Sequence, residues 1–460
     1  MRSGRVRGVG ALLLATTLVG AVVGQASGAT KKPTRPSASA VAFALYPMPA
    51  GFDAENAGEP SVGINWNTGN VLFQAGTGTW RATFNDAARP PSVTWKDVSS
   101  PYTPVNLDPI LATDPTTGRT LAGGDGGSCG SLALTLNDGD TWTPSLPCTG
   151  IIDHPTVGFG PVRPETGNLG GSDRVAYYCQ QYPLANECAR SLDGGQTWST
   201  AVPVQYCLGL FGHVKTSRDG IAYLPSKGCY AHGTYGGSPY GVGGAVSTDN
   251  GLTWSSYAIP GGEKSTGFDP SIGVASDGTL YEAWTDDGFN LRVAKSTDHA
   301  ATWSTPIDLS RTISPEIAAA TFPAVVAGDR DRVAVAYLGS TVPVGNSDPF
   351  GDYHGVWHLY VSISYNGGST WTTQKLTSDP VQRGWIDNGG TTASDHRNLL
   401  DFMDAGLTKT GRIVIGFADG CVKVCADVDG TDATSNSQYG TVARQWSGKG
   451  LFAEYDATNK

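Results

Sequence analysis

At 460 residues and a formal charge of −10, the chain can bury a large core and is too acidic to favour nucleic acid or an anionic membrane surface. Its 62 Gly, 28 Pro and 12 Trp, with little helical periodicity, suit many short strands joined by tight turns.

The N-terminus carries Arg2, Arg5 and Arg7, an apolar run over residues 9–23, and small residues ending near Ala26 or Ala29. That run is shorter than the ~20 residues of a membrane span. Residues 1–29 therefore read as a secretory signal peptide and residues 30–40 as a flexible leader, leaving residues 41–460 as one exported domain. No later stretch is long and apolar enough to span a bilayer. Export favours disulfides among the eight Cys. Proximity pairs Cys129 with Cys148, Cys179 with Cys188, Cys207 with Cys229, and Cys421 with Cys425, each stapling a local loop. A zinc site at Cys421 and Cys425 has the wrong spacing and no second Cys/His pair close by.

Along the mature chain a strand start recurs: an acidic or aromatic residue, often Pro, then a small apolar run. It appears as Glu59-Pro60-Ser61-Val62, Asp108-Pro109-Ile110-Leu111, Asp153-His154-Pro155-Thr156 and Phe211-Gly212-His213-Val214. It returns as Asp269-Pro270-Ser271-Ile272, Phe322-Pro323-Ala324-Val325 and Phe402-Met403-Asp404-Ala405. A second β-rich run follows each start, at residues 71–74, 120–122, 175–178, 221–224, 280–284, 333–337 and 413–417. A third leads into a repeated turn, intact in Ser191-Leu192-Asp193-Gly194-Gly195-Gln196-Thr197-Trp198 and in Ser247-Thr248-Asp249-Asn250-Gly251-Leu252-Thr253-Trp254. Variants end at Trp142, Trp303 and Trp371, with Asn137, Ala300 and Asn366 as the substitutions, and an interrupted copy ends at Trp95. The acid or amide accepts from backbone N–H groups, Gly supplies the positive φ, and Trp anchors the turn in apolar surroundings.

This S-x-D-x-G-x-T-W segment resembles the Asp box, or BNR repeat, of the sialidase-like β-propeller superfamily, and the chain resembles a secreted bacterial member. The repeats predict an all-β fold, a seven-bladed β-propeller of four-stranded antiparallel blades, six blades being the alternative. The seventh unit lacks a standard turn. Its third strand is expected at residues 440–445, and residues 41–46 are expected to close the ring and remove an exposed edge.

In a propeller the first strand of each blade is innermost, so the strand starts converge on the channel mouth. The candidate catalytic residues are accordingly Glu59, Asp108, Asp153, His154 and Asp269, with His213 and Asp401 as substrate-binding neighbours. Carboxylates, imidazoles and aromatics on one concave surface make the composition of a carbohydrate site. Two insertions break the regular spacing. Residues 339–357 carry Asp352 and Tyr353; residues 379–400 carry Arg383, Trp385 and Arg397, suited to clasping an acidic sugar. Asp427, Asp429 and Asp432 have the oxygen density of a calcium loop without the spacing or closing Glu of an EF-hand. Calcium is therefore a candidate ligand, and no cofactor is required.

The resemblance implies a glycoside hydrolase. Sialidases hold the sialate carboxylate with an arginine triad, use an Asp acid/base and a Tyr nucleophile helped by Glu, and open their first blade on Phe-Arg-Ile-Pro. Here Gly58-Glu59-Pro60-Ser61 sets an acid where the first triad Arg is expected, so no triad carries over and sialosides are disfavoured. Tyr281 and Glu282 adjoin on one strand and point to opposite faces, which prevents them from acting together. The expected function is secreted glycan processing, with mouth carboxylates hydrolysing a glycosidic bond. The alternatives are a non-catalytic glycan-binding propeller, or a lyase acting on uronates through His154, His213 and Arg397. The expected partner is a carbohydrate or polysaccharide, with no nucleic acid and no membrane span, and the chain is expected to be a monomer.

Overall fold

The structure, a computed structural model, describes residues 40–458 except 52–53, 104–107, 126–128, 149–152, 164–171, 183–184, 205, 230–240, 266–267, 314–316, 343–354, 387–396, 423 and 428–436. The expected signal peptide and all but the last residue of the leader lie outside the described residues. So do Asp352, Tyr353, Asp429, Asp432 and the side chain of Asp427.

Seven antiparallel sheets surround one axis, and their innermost strands neighbour one another in a closed circle. The protein is a seven-bladed β-propeller. The innermost strands are Ser61–Ile64, Ile110–Thr113, Asp153–Pro161, Lys215–Thr216, Ser271–Val274, Ala319–Ala327 and Asp404–Leu407. Each is followed outward by three more strands; in blade five these are Leu280–Thr285, Leu291–Ser296 and Ile307–Asp308. Blade six carries an extra pairing, Gln382–Arg383 against the start of Val356–Ser364. In blade seven, Tyr439–Ser447 pairs with Ala42–Pro47, so the two ends of the chain share one sheet and close the ring.

Apolar side chains fill the wedges between blades, as where Leu121 and Leu132 of blade two meet Val157, Phe159 and Tyr178 of blade three. At the axis the innermost strands approach so closely that small residues are required. A Cβ on Gly158 would lie 2.7 Å from the Val214 carbonyl oxygen, and one on Gly273 would lie 2.8 Å from the Val325 side chain.

Alternation of strand direction puts the start of each innermost strand on one face and the repeated turns, which follow the third strand, on the opposite face. Five turns share one hydrogen-bond pattern. The Asp or Asn side chain accepts the Thr N–H at 2.9 Å in all five, from Asn137–Thr141 to Asn366–Thr370. The opening hydroxyl accepts from the N–H of Gly139, Gly195, Gly251, Ala300 or Gly368. All four disulfides join the pairs expected from proximity, the cross-linking of a chain matured in an oxidising compartment. Among the described residues no helix is long and apolar enough to cross a membrane.

Candidate functional site

Strand pairing brings the seven starts into register, and one ring of equivalent positions emerges: Glu59, Asp108, His154, Phe211, Asp269, Phe322 and Phe402. Glu59, His154 and Phe322 each precede a Pro and adopt φ of 54, 51 and 53°, a left-handed conformation that non-glycine residues hold only when their surroundings enforce it. In blades three and six the pairing register slips at this point.

What enforces it is a network across the channel. His154 Nε2 lies 2.8 Å from Asp269 Oδ2 and 3.1 Å from the Phe211 carbonyl, while the His154 backbone N–H donates to Asp108 Oδ2 at 3.0 Å. Blades two, three, four and five are thereby tied through one histidine, blade two by its backbone N–H and blades four and five by its ring. Glu59 Oε1 accepts the Asp401 N–H at 3.2 Å, and Asp401 in turn receives both Arg397 nitrogens, at 2.6 and 3.0 Å. Glu59 is 1% exposed, Asp269 5%, His154 6% and Asp401 8%.

Charges this deep must balance. Burial alone would strip the proton from His154, but the Asp269 carboxylate, backed by Glu59 and Asp401, outweighs it and raises the imidazole pKa to about 10. Burial, then the nearby Asp401 and Asp108, push the Glu59 carboxyl well above the usual carboxylate range, with His154 opposing. Among the described residues no donor reaches Glu59 Oε2 or Asp269 Oδ1. Buried Lys227 faces Asp269 and Asp401; burial draws its pKa down while those two acids oppose. Raised pKa values at His154 and at Glu59 both favour keeping a proton inside the cluster. Glu59, His154 and Asp401 each bring one ligand atom within 4.8 Å of the others, a spacing that suits a cation. Asp269 holds His154 as imidazolium, however, and a metal ligand must be the neutral imidazole.

The other sequence candidates fall elsewhere. Asp153 is exposed, and it is His154 that takes the ring position. His213 Nδ1 lies 3.2 Å from Asp404 Oδ1, and its ring meets Phe402 edge-on at 4.6 Å. Phe402 also meets His154 at 6.2 Å and so separates two polar groups, one at the mouth and one in the channel. Arg383 donates to the Cys425 carbonyl at 3.0 Å, and Trp385 packs edge-on against Phe289. Tyr281 donates to the Arg330 carbonyl and Glu282 accepts from Tyr257, partners on different sides of their strand.

Sequence reading passed over Lys227, at the end of a second strand with no motif around it; it set Asp404 among the acids of the mouth without nominating it as a site residue. Asp404 was legible by register, since it stands two positions after Phe402 as His213 does after Phe211. It accepts Val62 N–H at 3.0 Å, as Thr156 accepts Val214 N–H and Ser271 accepts Val325 N–H, each bond joining adjacent blades. Burial opposes its ionisation, yet Lys215, His213 and the Val62 N–H bring its pKa down to about 2.

No family model and no curated protein matches this sequence. Among solved structures, a protein of unknown function from Dyadobacter fermentans is 14% identical with a TM-score of 0.42, over 86% of this chain and 95% of that one. A Hadza microbial sialidase is 14% identical with a TM-score of 0.41, over 85% and 66% of the two chains. A lectin from Aleuria aurantia is 13% identical with a TM-score of 0.42, over 69% and 94%. Likeness at this level concerns the propeller fold alone.

Proposed function

We propose that this protein binds a glycan at the mouth formed by the strand starts and hydrolyses it, with Glu59 as proton donor. One observation carries the reading: a buried carboxyl, its pKa raised by burial and by Asp401 and Asp108, stands beside a second carboxyl group that takes two hydrogen bonds from Arg397. Two carboxyl groups in unlike environments are the equipment of glycoside hydrolysis, one giving a proton to the leaving oxygen and the other facing the developing cation. Glu59 and Asp401 oxygens lie within 4.8 Å, closer than the ~6.5–9.5 Å that an inverting pair needs to admit water, so the reading calls for retention at the anomeric carbon.

A second reading has its own observation. The four polar groups are each under a tenth exposed, which suits a rigid plug beneath a non-catalytic glycan-binding surface. Incubation with sialosides, neutral glycosides and uronate polymers, recording new reducing ends and unsaturated-product absorbance, separates the cases. The hydrolase reading expects reducing ends without that absorbance, and Glu59→Gln should lower kcat by at least about a hundredfold with an unchanged fold. Binding without turnover would leave the lectin-like reading; both signals together would mean a lyase. Full activity in Glu59→Gln would remove Glu59 from the chemistry.

A further inference from the structure

Beneath the mouth, the central channel holds a cavity of about 600 Å³. It runs from His213, Lys215 and Asp404 at its inner end to Trp66, Thr116, Arg218 and Phe452 on the face of the repeated turns, where Thr116 and Arg218 are exposed. That volume lies within the range of small-molecule sites.

We propose that this channel is a second ligand site, entered from the turn face and fitted to a small carboxylate with an apolar body. Three observations carry it, none of which depends on the mouth. The wall is apolar, formed by Val62, Leu111, Val157, Ile272 and Val325 from five successive or neighbouring blades. Of the charged residues in the lining, Arg174 is paired with Asp114 at 2.5 and 2.8 Å, which leaves Lys215 and Arg218 against Asp404, a local cationic excess in a chain of net charge −10.

The third observation is Lys215 itself. Its equivalents in the other innermost strands are Gly63, Ala112, Gly158, Gly273, Val326 and Gly406, so it is the one long side chain at that level. It reaches toward Asp404 but stops at 3.8 Å, beyond hydrogen-bond length. The oxygens of Asp404 already accept from Val62 N–H, Ala405 N–H and His213 Nδ1. Asp404 thus fixes the ammonium by charge without taking its hydrogens. His213 Nε2, buried in the same lining, has no hydrogen-bond partner. A carboxylate at this inner end would receive the Lys215 N–H groups while its hydrocarbon lies along the apolar wall.

Isothermal titration of the mature protein with octanoate, octan-1-ol and octylamine tests this. The expectation is binding of octanoate, weaker binding of the alcohol and none of the amine. Lys215→Met should weaken octanoate about tenfold or more, leaving the alcohol unchanged, and Lys215→Arg should restore most of the loss. If Lys215→Met fails to fold, Ser276→Trp at the open end decides instead, since it should block octanoate entry while the melting temperature holds. Equal affinity for octanoate and octylamine, no binding of any of the three, or unchanged octanoate binding in Lys215→Met or Ser276→Trp would overturn the proposal. Glycan turnover at the mouth should be indifferent to Ser276→Trp, so failure here and failure of the mouth reading are separate results.

Discussion

Replacing Asp269 by Asn tests the charge network at the mouth, because it keeps an acceptor opposite His154 Nε2 and removes only the charge. In the native protein the His154 pKa rises from 6.5 to about 10, which corresponds to about 5 kcal/mol of linked stability. A pKa raised on folding stabilises fully below the unfolded value and loses that contribution as pH climbs through the folded value. The window is therefore pH 6.5 to about 10, with stability falling across it. Glu59 acts in the same direction in a window that opens at its ordinary 4.5. In Asp269→Asn, burial is no longer outweighed, so His154 should be neutral in the fold. The variant should lose about 3–5 kcal/mol near pH 6.5, the usual consequence of removing one partner of a buried pair. Its stability should then decline less steeply than the native protein's across that window, the remaining slope coming from Glu59. Guanidinium denaturation across that window measures both, and the imidazole resonance of His154 in a histidine-labelled sample follows the proton directly. A variant whose stability falls between pH 6.5 and 10 as steeply as the native protein's would refute the assignment of the proton to His154.

Two further expectations concern the repeated turns. Asp193 accepts from Gln196 N–H, Thr197 N–H and the Thr197 hydroxyl, so Asp193→Ala should lower stability by about 1 kcal/mol, as loss of a capping side chain does. Turnover per folded molecule should stay constant, and a selective loss of activity at unchanged melting temperature would contradict a structural role. Ala300 sits at φ 70° where the other turns place Gly; Ala300→Gly should therefore stabilise the protein by about 1 kcal/mol, seen as a higher denaturation midpoint.

The propeller was legible because its periodicity is written in residues with strong local physics: Asp or Asn accepting in the turn, Gly at positive φ, Trp at its end. Even the ring closure by residues 41–46 followed from a blade that lacked its last strand. The mouth was only half legible. Sequence named Glu59, Asp108, His154, Asp269 and Asp401, but it paired Asp153 with His154 as equals, whereas the bulge at Asp153 turns one outward and the other into the network. Bulges and left-handed residues have no reliable signature when the residue is Glu, His or Phe rather than Gly. Nor could periodicity show burial: seven starts converging on an axis predict an open bowl of acids, whereas Glu59, His154 and Asp269 are buried and three phenylalanines stand at the equivalent positions. Lys227 and Lys215 were invisible for a related reason. Each matters through what lies across the channel, and no spacing along the chain records that.

The acid at position 59 then acquires a physical reason. An arginine in that place would add a buried cation beside His154 and Lys227, where solvent screens it little. A glutamate whose carboxyl pKa is raised adds no such cation. Substituting Glu59 by Arg would have to be matched elsewhere in the ring before a carboxylate-bearing sugar could be held there. In this chain the lysine available to a carboxylate stands in the channel below, at the single position where the other blades carry Gly, Ala or Val.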